Sequence, residues 1–349
     1  MNLNDLERSM LVVRITARHK GYLEAITPSG SEIHCYLSGR MQYAAQDAAE
    51  LPVIGDFCEV SPPFIDETNS PACVVERVVD RKSVISRLAA GTKTEEQVLA
   101  ANVDYAFVVT SPNSDFSVNR LQRYVVLAAN GGAEAVIVLS KSDLAGDVSP
   151  WLAQIREGLP NMRIVVTSSV QGHGLDGLRA LLAGGKTGVF IGSSGVGKST
   201  LVNALLESSA QYTREIRGDG KGRHTTSGGR LFFLAGGGGM IIDTPGLREV
   251  QLIGSDGALE TAAPKIFELA GRCKFGDCAH ESEPGCAVRS ALEAGEISAR
   301  DLEQFFKLRR ELDFNRRKLD HAFASEEKRK WKIIHKGLKQ KKKLRDRGD

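Results

Sequence analysis

The chain has 349 residues, 42% hydrophobic and 26% charged, a balance typical of a water-soluble protein of roughly two or three domains. No apolar run approaches the roughly 18 residues of a membrane helix, and the first ten residues lack the pattern of a signal peptide, so we expect no membrane partner. Six cysteines are too few for a disulfide scaffold, which favours a reducing compartment and, by default, the cytoplasm.

The net charge of +3 is unevenly distributed. Residues 326–349 contain eleven Lys and Arg against four Asp and Glu, so this basic tail carries +7 and the rest of the chain about −4. A cationic tail on an acidic body favours a polyanionic partner such as the phosphate backbone of RNA. A solvated terminal helix without a partner fits the same composition.

Residues from about 10 to 85 predict a small β-domain. Short alternating runs separated by turn residues lie at 11–15, 21–26, 32–37, 53–60 and 72–78. Five short strands are typical of an OB-like barrel, a common nucleic-acid-binding module, while a purely structural β-domain fits the same pattern. We expect Cys35, Cys58 and Cys73 in the core of this domain.

From Val103 the chain alternates between predicted strands and helices. Strands are expected at 103–109, 135–139, 163–166, 187–191 and 240–243, with a hairpin at 231–234. Helices are expected at 120–130, 151–159, 175–182 and 198–206. Apolar strands joined by helices predict a doubly wound parallel α/β sheet. After Gly246 the pattern becomes helical and ends in a long basic helix from about Ala299.

Residues Gly192–Ser199 match the phosphate-binding pattern G-x4-G-K-S/T in full, between a predicted strand and a predicted helix. The glycines let backbone N–H groups turn toward phosphate oxygens, and the helix N-terminus adds a favourable dipole. Lys198 would neutralise the β and γ oxygens, and the Ser199 hydroxyl would bind Mg²⁺. The residues expected at the nucleotide here are Gly192, Ser193, Ser194, Gly195, Val196, Gly197, Lys198, Ser199 and Thr200.

Asp243 ends a second apolar strand and opens the sequence D-T-P-G, about 50 residues after the phosphate loop. An Asp at the carboxyl end of a strand beside such a loop is the expected outer partner of Mg²⁺. Gly246 can offer its N–H to the γ-phosphate. D-T-P-G by itself is a common turn. Its position after an apolar strand, about 50 residues beyond the phosphate loop, is what indicates a nucleotide site.

Ser140-Lys141-Ser142-Asp143 follows a predicted strand and matches the guanine motif N/T-K-x-D with Ser in first place. The Asp143 carboxylate can accept hydrogen bonds from N1–H and the 2-amino group of guanine, which adenine cannot donate. Ser is shorter than Asn, so we expect weaker affinity with specificity retained. Thr167-Ser168-Ser169, after the next strand, fits the loop that closes over the base, with Ser168 or Ser169 supplying a backbone contact.

The motif order is circularly permuted. Ordinary GTPases carry the phosphate loop first, whereas here the guanine motif and base loop precede it and Asp243 closes the series. Neighbouring strands, not chain order, create such a site. The segment after Gly246 leads directly into the C-terminal region, so loss of the γ-phosphate would be transmitted there.

The polar, glycine-rich stretch 218–228 is predicted to be a mobile switch loop. Thr225 or Thr226 would complete the Mg²⁺ shell. The usual water-positioning Gln after D-x-x-G is replaced by Leu247, so another group must orient water or turnover will be slow. His224 is the candidate, and a role in tethering the loop or contacting a partner fits it equally.

Cys273, Cys278, His280 and Cys286 form the pattern C-x4-C-x-H-x5-C. Three thiolates and one imidazole predict a closed, structural Zn²⁺ site in a segment with few apolar residues. Three unrelated buried cysteines are the alternative.

These features together resemble the RsgA (YjeQ) family of GTPases that depend on the bacterial small ribosomal subunit, over about residues 10–320. The resemblance implies an OB-fold, a permuted GTPase domain and a zinc-binding helical domain. It implies binding to the 30S subunit late in maturation, GTP hydrolysis stimulated by that subunit, and release afterward. The family's G-R-H-T-T segment matches Gly222–Thr226. Ser140 departs from the family's Asn, and the tail beyond Ser325 is longer and more basic.

We therefore expect a monomeric GTP hydrolase that contacts 16S rRNA, with domains at 1–85, 86–255 and 256–349. An RNA-binding assembly scaffold that binds nucleotide with negligible turnover is the second hypothesis, based on Leu247 and Ser140. An ATP-using kinase is disfavoured, because Asp143 specifies guanine and no lid or acceptor site is evident.

Overall fold

A computed structural model describes residues 11–45, 48–88, 96–207, 229–243, 252–253 and 255–319. His224, Thr225, Gly246, Leu247 and the basic tail lie outside the described residues. None of the helices in the described ranges combines the length and apolar character needed to cross a membrane.

Residues 11–78 contain the strands of a closed β-barrel. Its strands are β1 (Leu11–Arg18), β2 (Leu23–Ile26), β3 (Glu32–Leu37), β4 (Phe57–Val60), the short β5 (Phe64–Ile65) and β6 (Pro71–Val78). The order β1-β2-β3-β6-β4 closes because β4 pairs back onto β1, and β3 and β6 are parallel. This topology confirms the OB-like prediction. A short helix, α1 (Gly39–Ala44), follows β3 and is capped by Ser38.

Along β2, β3 and β4, buried side chains alternate with more exposed ones, as expected for half-buried strands, whereas β1 and β6 also bury consecutive residues. Cys35, Cys58 and Cys73 are fully buried in it, as predicted. The predicted strand 53–60 begins only at Phe57, however. Asp56 Oδ2 accepts the N–H of Val53 at 2.8 Å and is paired with Arg81 at 2.8 Å, and this buried ion pair holds residues 53–56 in a turn.

A two-stranded antiparallel hairpin, β7 (Val84–Leu88) and β8 (Glu96–Ala101), lies between the barrel and the central sheet. It was not predicted, because Glu, Gln and Ala are weak strand formers and β8 contains four of them. Tertiary contacts override that preference: the N–H of Ala101 donates to Ile54 O at 2.9 Å.

The central domain is a six-stranded sheet. Its strands are β9 (Tyr105–Thr110), β10 (Glu134–Leu139), β11 (Arg163–Val166), β12 (Thr187–Ile191), β13 (Arg230–Phe233) and β14 (Met240–Asp243). The order is β11-β10-β9-β12-β14-β13, with β13 alone antiparallel to its neighbour among these strands. The connecting helices are α2 (Val118–Asn130), α3 (Ser149–Gly158), α4 (Leu175–Leu182) and α5 (Lys198–Glu207).

The two faces of this sheet are both covered. Along β9, Ala106 and Val108 pack in a core with α2 and α3, whereas Phe107 and Val109 pack in a second core with α4 and α5. Successive side chains of a strand point to opposite faces, so a strand covered on both sides must be apolar throughout. The doubly wound parallel sheet is therefore confirmed.

Residues 255–319, the described part of the C-terminal region, contain four helices: α6 (Asp256–Ala262), α7 (Pro264–Ala270), α8 (Ala287–Glu293) and α9 (299–319). Their apolar side chains join the α2 face of the sheet in one continuous core. Arg123 of α2 makes a two-pronged ion pair with Glu311 of α9, at 2.6 and 2.8 Å. Helix α2 is thus shared by the central and C-terminal parts.

The barrel is docked on the central sheet near β12 and β14. Arg14, only 8% exposed, donates to Thr187 Oγ1 at 2.8 Å and to Asn102 O at 3.3 Å. Glu24 pairs with Arg230 at 2.7 Å, where β1 touches β13. The barrel therefore contacts β12, the strand that leads into the phosphate loop, and β13 at the edge of the central sheet.

Candidate functional site

The phosphate loop leaves the central strand β12 and enters α5 at Lys198. Gly192, Gly195 and Gly197 all have positive φ, at 147°, 78° and 98°. At Gly192 a Cβ atom would lie 2.4 Å from the carbonyl oxygen of Val109. Only glycine fits this point without moving backbone, which explains the first glycine of the pattern.

The cationic group of the loop is folded over its own backbone. Lys198 Nζ donates to Gly192 O at 2.7 Å and to Ser193 O at 2.6 Å. Ser199 and Thr200 are exposed at the N-terminus of α5, as are Ser194 and Gly195 in the loop. The Lys198 ammonium group, the exposed backbone of the loop and the N-terminus of α5 can together bind an anion.

The guanine motif lies directly against this loop. Ser140 is 2% exposed, and its Oγ lies 2.5 Å from Val196 O and 2.9 Å from Thr110 O. Lys141 adopts a left-handed backbone, with φ of 55°, and its Nζ donates to Gly195 O at 2.7 Å. The ends of β10 and β12 are thereby joined through the side chains of the motif.

The predicted base loop adjoins the same motif. Ser168 is fully buried and its Oγ donates to Asp143 Oδ1 at 2.5 Å, while the N–H of Ser142 donates to Thr167 O at 3.1 Å. Asp143 itself remains partly exposed, with its second carboxylate oxygen as a further acceptor. The structure thus brings Ser140, Asp143 and Ser168 together beside the phosphate loop.

Asp243 is the last residue of β14, which pairs in parallel with β12. Parallel neighbours end at the same edge of a sheet, so Asp243 lies at the edge from which the phosphate loop starts. Its side chain is exposed. The remaining predicted residues of this half, His224, Thr225 and Gly246, are outside the described chain.

One contact at the phosphate loop was missed from sequence. Arg120, near the start of α2, donates to Ser193 Oγ at 2.9 Å and to Asp115 Oδ2 at 2.6 Å. A lone Arg at the beginning of a helix gives no signal that it reaches a loop 73 residues away. Its position after β9, the neighbour of β12, was the available clue.

The Cys/His cluster is brought together as predicted. The ligand atoms of Cys273, Cys278, His280 and Cys286 all lie within 4.8 Å of one another. Cys273 Sγ is 3.9 Å from Cys286 Sγ, and these atoms are 3.6 and 3.5 Å from His280 Nδ1. With metal–sulfur bonds of about 2.3 Å, a tetrahedron has edges of about 3.8 Å, so the cluster has the dimensions of a metal site.

The surroundings of this cluster favour a neutral imidazole and an ordered loop. Burial, reinforced by Arg309, lowers the pKa of His280, and a neutral ring is the form that binds metals. Hydrogen bonds from the N–H groups of Ala279 and its neighbours lower the pKa of Glu283 to about 2. The ionised carboxylate thus ties down the backbone between the ligands.

Known proteins share this sequence and fold. The sequence profile described as RsgA GTPase matches residues 78–253. The "Small ribosomal subunit biogenesis GTPase RsgA" of Methanosarcina acetivorans is 38% identical over 96% of this chain and 88% of its own length. The protein of the same name from Opitutus terrae is 37% identical over 97% of this chain and 94% of its own length.

Two crystal structures are similar. YjeQ from Thermotoga maritima has a TM-score of 0.64 and 28% identity, over 87% of this chain and 99% of its own. YloQ, described as a circularly permuted GTPase, has a TM-score of 0.61 and 24% identity, over 88% of this chain and 96% of its own, and shows the same fold. A matching profile over half the chain and such relatives over nearly all of it lead to one conclusion: this chain is a member of the RsgA GTPase family.

Proposed function

We propose that this GTPase hydrolyses GTP to GDP and phosphate while bound to the small ribosomal (30S) subunit, assists the late maturation of that subunit, and is stimulated by it. One observation carries the nucleotide part: side chains of the guanine motif hydrogen-bond the phosphate loop, with Ser140 at Val196 and Lys141 at Gly195. The base and phosphate halves of the site are therefore one unit, despite the permuted order.

The phosphate half would work through charge and positioning. Lys198 exchanges its bonds with Gly192 O and Ser193 O for bonds with the β and γ oxygens. Mg²⁺, held by Ser199 and Thr225 with Asp243 behind them, would neutralise charge on the same oxygens. The N–H of Gly246 would contact the γ-phosphate. The exposed Ser199 at the start of α5 supports this arrangement.

The base half would provide selectivity. Asp143 reads N1–H and the 2-amino group of guanine, while the backbone of Ser168 closes over the base. The bond from Ser168 Oγ orients the Asp143 carboxylate, which supports this assignment.

We further propose that His224 positions the attacking water, since Leu247 cannot. An imidazole can exchange hydrogen bonds and a proton with water, which suits that task. The His224→Gln variant distinguishes this role from a tethering role. If His224 positions water, the Gln amide can still orient it and part of the turnover should remain. If His224 tethers the loop to a partner, the variant should bind that partner more weakly.

We assign Zn²⁺ to the Cys/His cluster, in a structural role. Three thiolates and one imidazole occupy all four positions of a tetrahedral ion, which leaves none for substrate. The spacing of the Sγ and Nδ1 atoms supports that assignment.

The ribosomal partner is proposed from the names of the relatives, which this chain matches over nearly their full length. The barrel offers support for contact with 16S rRNA. The rings of His19 and Tyr22 are stacked at 4.7 Å, and His34 and Tyr36 lie beside them at 4.7 and 6.4 Å from Tyr22. Such half-exposed rings can stack on unpaired bases, and the basic tail can meet phosphates. We propose a monomer that works in the cytoplasm.

The test is phosphate release from GTP and from ATP, with and without purified 30S subunits. Slow GTP turnover that rises manyfold with 30S, with ATP inert, supports the proposal. Lys198→Ala is the control that should lose turnover in both conditions. GTP turnover that stays flat with 30S, despite binding to it, would favour the scaffold hypothesis instead.

A further inference from the structure

Arg120 is a cationic side chain beside the phosphate loop that neither nucleotide motif contains. It lies in the first turn of α2, the helix that follows β9, and β9 runs parallel to its neighbour β12. Parallel neighbours end at the same edge of a sheet, so α2 starts beside the loop that leaves β12. Arg120 Nη1 donates to Ser193 Oγ at 2.9 Å, and Lys198 Nζ donates to Ser193 O at 2.6 Å. Two cations therefore meet at one residue of the loop.

Most of the hydrogen-bonding capacity of Arg120 is unused. Nη1 carries all of its bonds, to Ser193 Oγ, to Asp115 Oδ2 at 2.6 Å and to Asp115 O at 3.2 Å. None of the described residues accepts a bond from Nη2 or Nε, which leaves three N–H donors of the guanidinium group. The side chains of Arg120 and Asp115 are 39% and 51% exposed, and ion pairs between such exposed groups contribute little. Arg120 can therefore donate to a phosphate oxygen without losing a strong partner.

Other side chains already hold the phosphate loop in place. Tyr124, one turn further along α2 and buried, hydrogen-bonds the Ser193 hydroxyl. Ser140 and Lys141 donate to two carbonyls of the same loop. A half-exposed guanidinium group adds little to this support. Its planar donors do match phosphate oxygens, so a role toward a bound phosphate explains Arg120 better than a role as a brace.

We propose that Arg120 binds the γ-phosphate of GTP and thereby favours GTP over GDP. This inference rests on the phosphate site proposed above. The lysine of such a loop reaches the β and γ oxygens, and Lys198 contacts the same residue, Ser193, as Arg120 does. In the proposed complex Nη1 stays at Ser193, while Nη2 and Nε donate to γ-phosphate oxygens. The carboxylate of Asp115 neutralises part of the Arg120 charge and so limits the affinity for GTP.

Nucleotide binding to the full chain, with Mg²⁺ and without 30S subunits, tests this role. The probes are GDP and a GTP analogue with a non-hydrolysable β–γ bridge, and calorimetry gives both dissociation constants. Arg120→Met should weaken the analogue roughly tenfold or more, the effect of lost bonds to a charged group, and GDP by less than about threefold. Arg120→Lys keeps the charge without the parallel donors and should lie between the parent and Arg120→Met. Arg156→Met, at an exposed position near the end of α3, is the matched control and should bind both nucleotides as the parent does.

Asp115→Asn tests the same role with the opposite sign. It removes the carboxylate that neutralises Arg120, so the analogue should bind about threefold or more tightly. If Arg120 were only a brace, loss of its anchor would weaken binding instead, so this variant is decisive even if Arg120→Met folds poorly. Unchanged binding of the analogue to Arg120→Met, equal weakening of both nucleotides, or weaker binding of the analogue to Asp115→Asn would overturn the inference.

Lys198→Ala separates this inference from the proposed function. If Lys198→Ala weakens binding of the analogue and Arg120→Met does not, only the role of Arg120 fails. If neither variant weakens it, the proposed phosphate site fails and the role of Arg120 fails with it.

Discussion

A single hydroxyl, that of Ser140, lies between two loops of the nucleotide site. It is almost fully buried and within hydrogen-bond distance of one carbonyl in the phosphate loop and another at the end of β9. The sequence suggested that Ser makes fewer bonds than Asn, and weaker nucleotide affinity stays a prediction. The bond to the phosphate loop, however, is within the reach of the shorter side chain.

Replacing Ser140 by Ala should therefore destabilise the chain by about 1–2 kcal/mol, because the carbonyl of Val196 loses the hydroxyl that donates to it, whereas the carbonyl of Thr110 keeps the backbone N–H of Ser140 at 2.8 Å. GDP affinity should fall as well, since the phosphate loop loses the bond from Ser140 and keeps only that from Lys141. Denaturant unfolding and GDP titration measure the two effects. Ser29→Ala, in an exposed turn of the barrel, should change neither. Unchanged unfolding of Ser140→Ala would show that the hydroxyl contributes nothing.

Asp143→Asn tests the base assignment. An amide accepts from N1–H but cannot accept from the 2-amino group, so GTP affinity should fall roughly 10- to 100-fold. The same amide can donate to the 2-oxo group of xanthine, so xanthosine triphosphate should gain affinity. Competition binding with the two nucleotides measures this switch. Asp147→Asn, four residues along, should keep the preference for GTP, and an unchanged preference in Asp143→Asn would contradict the assignment.

At the scale of elements, the parts that sequence predicted well are those with regular periodicity or fixed spacing. The sheet strands, the phosphate loop and the Cys/His cluster belong to this class. The ring cluster of His19, Tyr22, His34 and Tyr36 does not, because the turn between β1 and β2 and the strand β3 both contribute to it, and no spacing along the chain reveals that the two lie side by side. The Arg120–Ser193 contact and the β7–β8 hairpin likewise depend on tertiary packing that periodicity does not report.

The glycines of the strand-to-helix turn at the phosphate loop should differ in how far they tolerate replacement by Ala. Gly192→Ala should cost about 3 kcal/mol or more, because φ is positive and the new Cβ meets Val109 O at 2.4 Å. Gly195→Ala also has positive φ but open space around it, and should cost only about 1–2 kcal/mol. Chemical denaturation of both variants decides the order. Equal costs would mean that strain of the backbone, not the close approach to β9, sets the requirement.

The barrel edge carries a pH-dependent contribution. Asp66 accepts bonds from Thr68, His34, Ser70 and Tyr36, and hydrogen bonds, foremost from Thr68 and His34, place the pKa of Asp66 far below its usual value. A carboxyl with a lowered folded-state pKa contributes stability above its unfolded pKa of about 4 and loses it as pH falls further.

Asp66→Asn should therefore melt below the parent at pH 7, with a gap that narrows as pH drops below about 4. Thermal unfolding across that range measures the gap. Glu67→Gln, at the exposed neighbour, should show no such gap. A gap that persists unchanged to low pH would indicate lost packing and not lost charge.

At the scale of the whole molecule, one core runs from the central sheet into the C-terminal helices, and the Cys/His cluster lies at its far end. Cys286 is 3% exposed and belongs to that core. Loss of the zinc proposed for this cluster should therefore loosen more than the loop that carries the ligands.

Cys278→Ser should lose the proposed zinc and lower the melting temperature of the full chain, because the cluster lies between α7 and α8. Native mass spectrometry and thermal unfolding measure metal content and stability. Asp277→Asn, at the exposed preceding residue, should retain one zinc per chain. A chain that is equally stable without metal would show that apolar packing alone holds these helices.

The order of strands in the sheet also bears on how the chain acquires its shape during synthesis. The first three strands of the central sheet, β9, β10 and β11, are neighbours and can pair as soon as they leave the ribosome. Strand β12 then adds to the free edge of β9, and the β13–β14 hairpin adds to β12. Each later piece extends an open edge, so no pair already formed has to separate. The half of the central sheet that contains Asp143 can therefore fold first, and the nucleotide site is complete only after β14 has been synthesised.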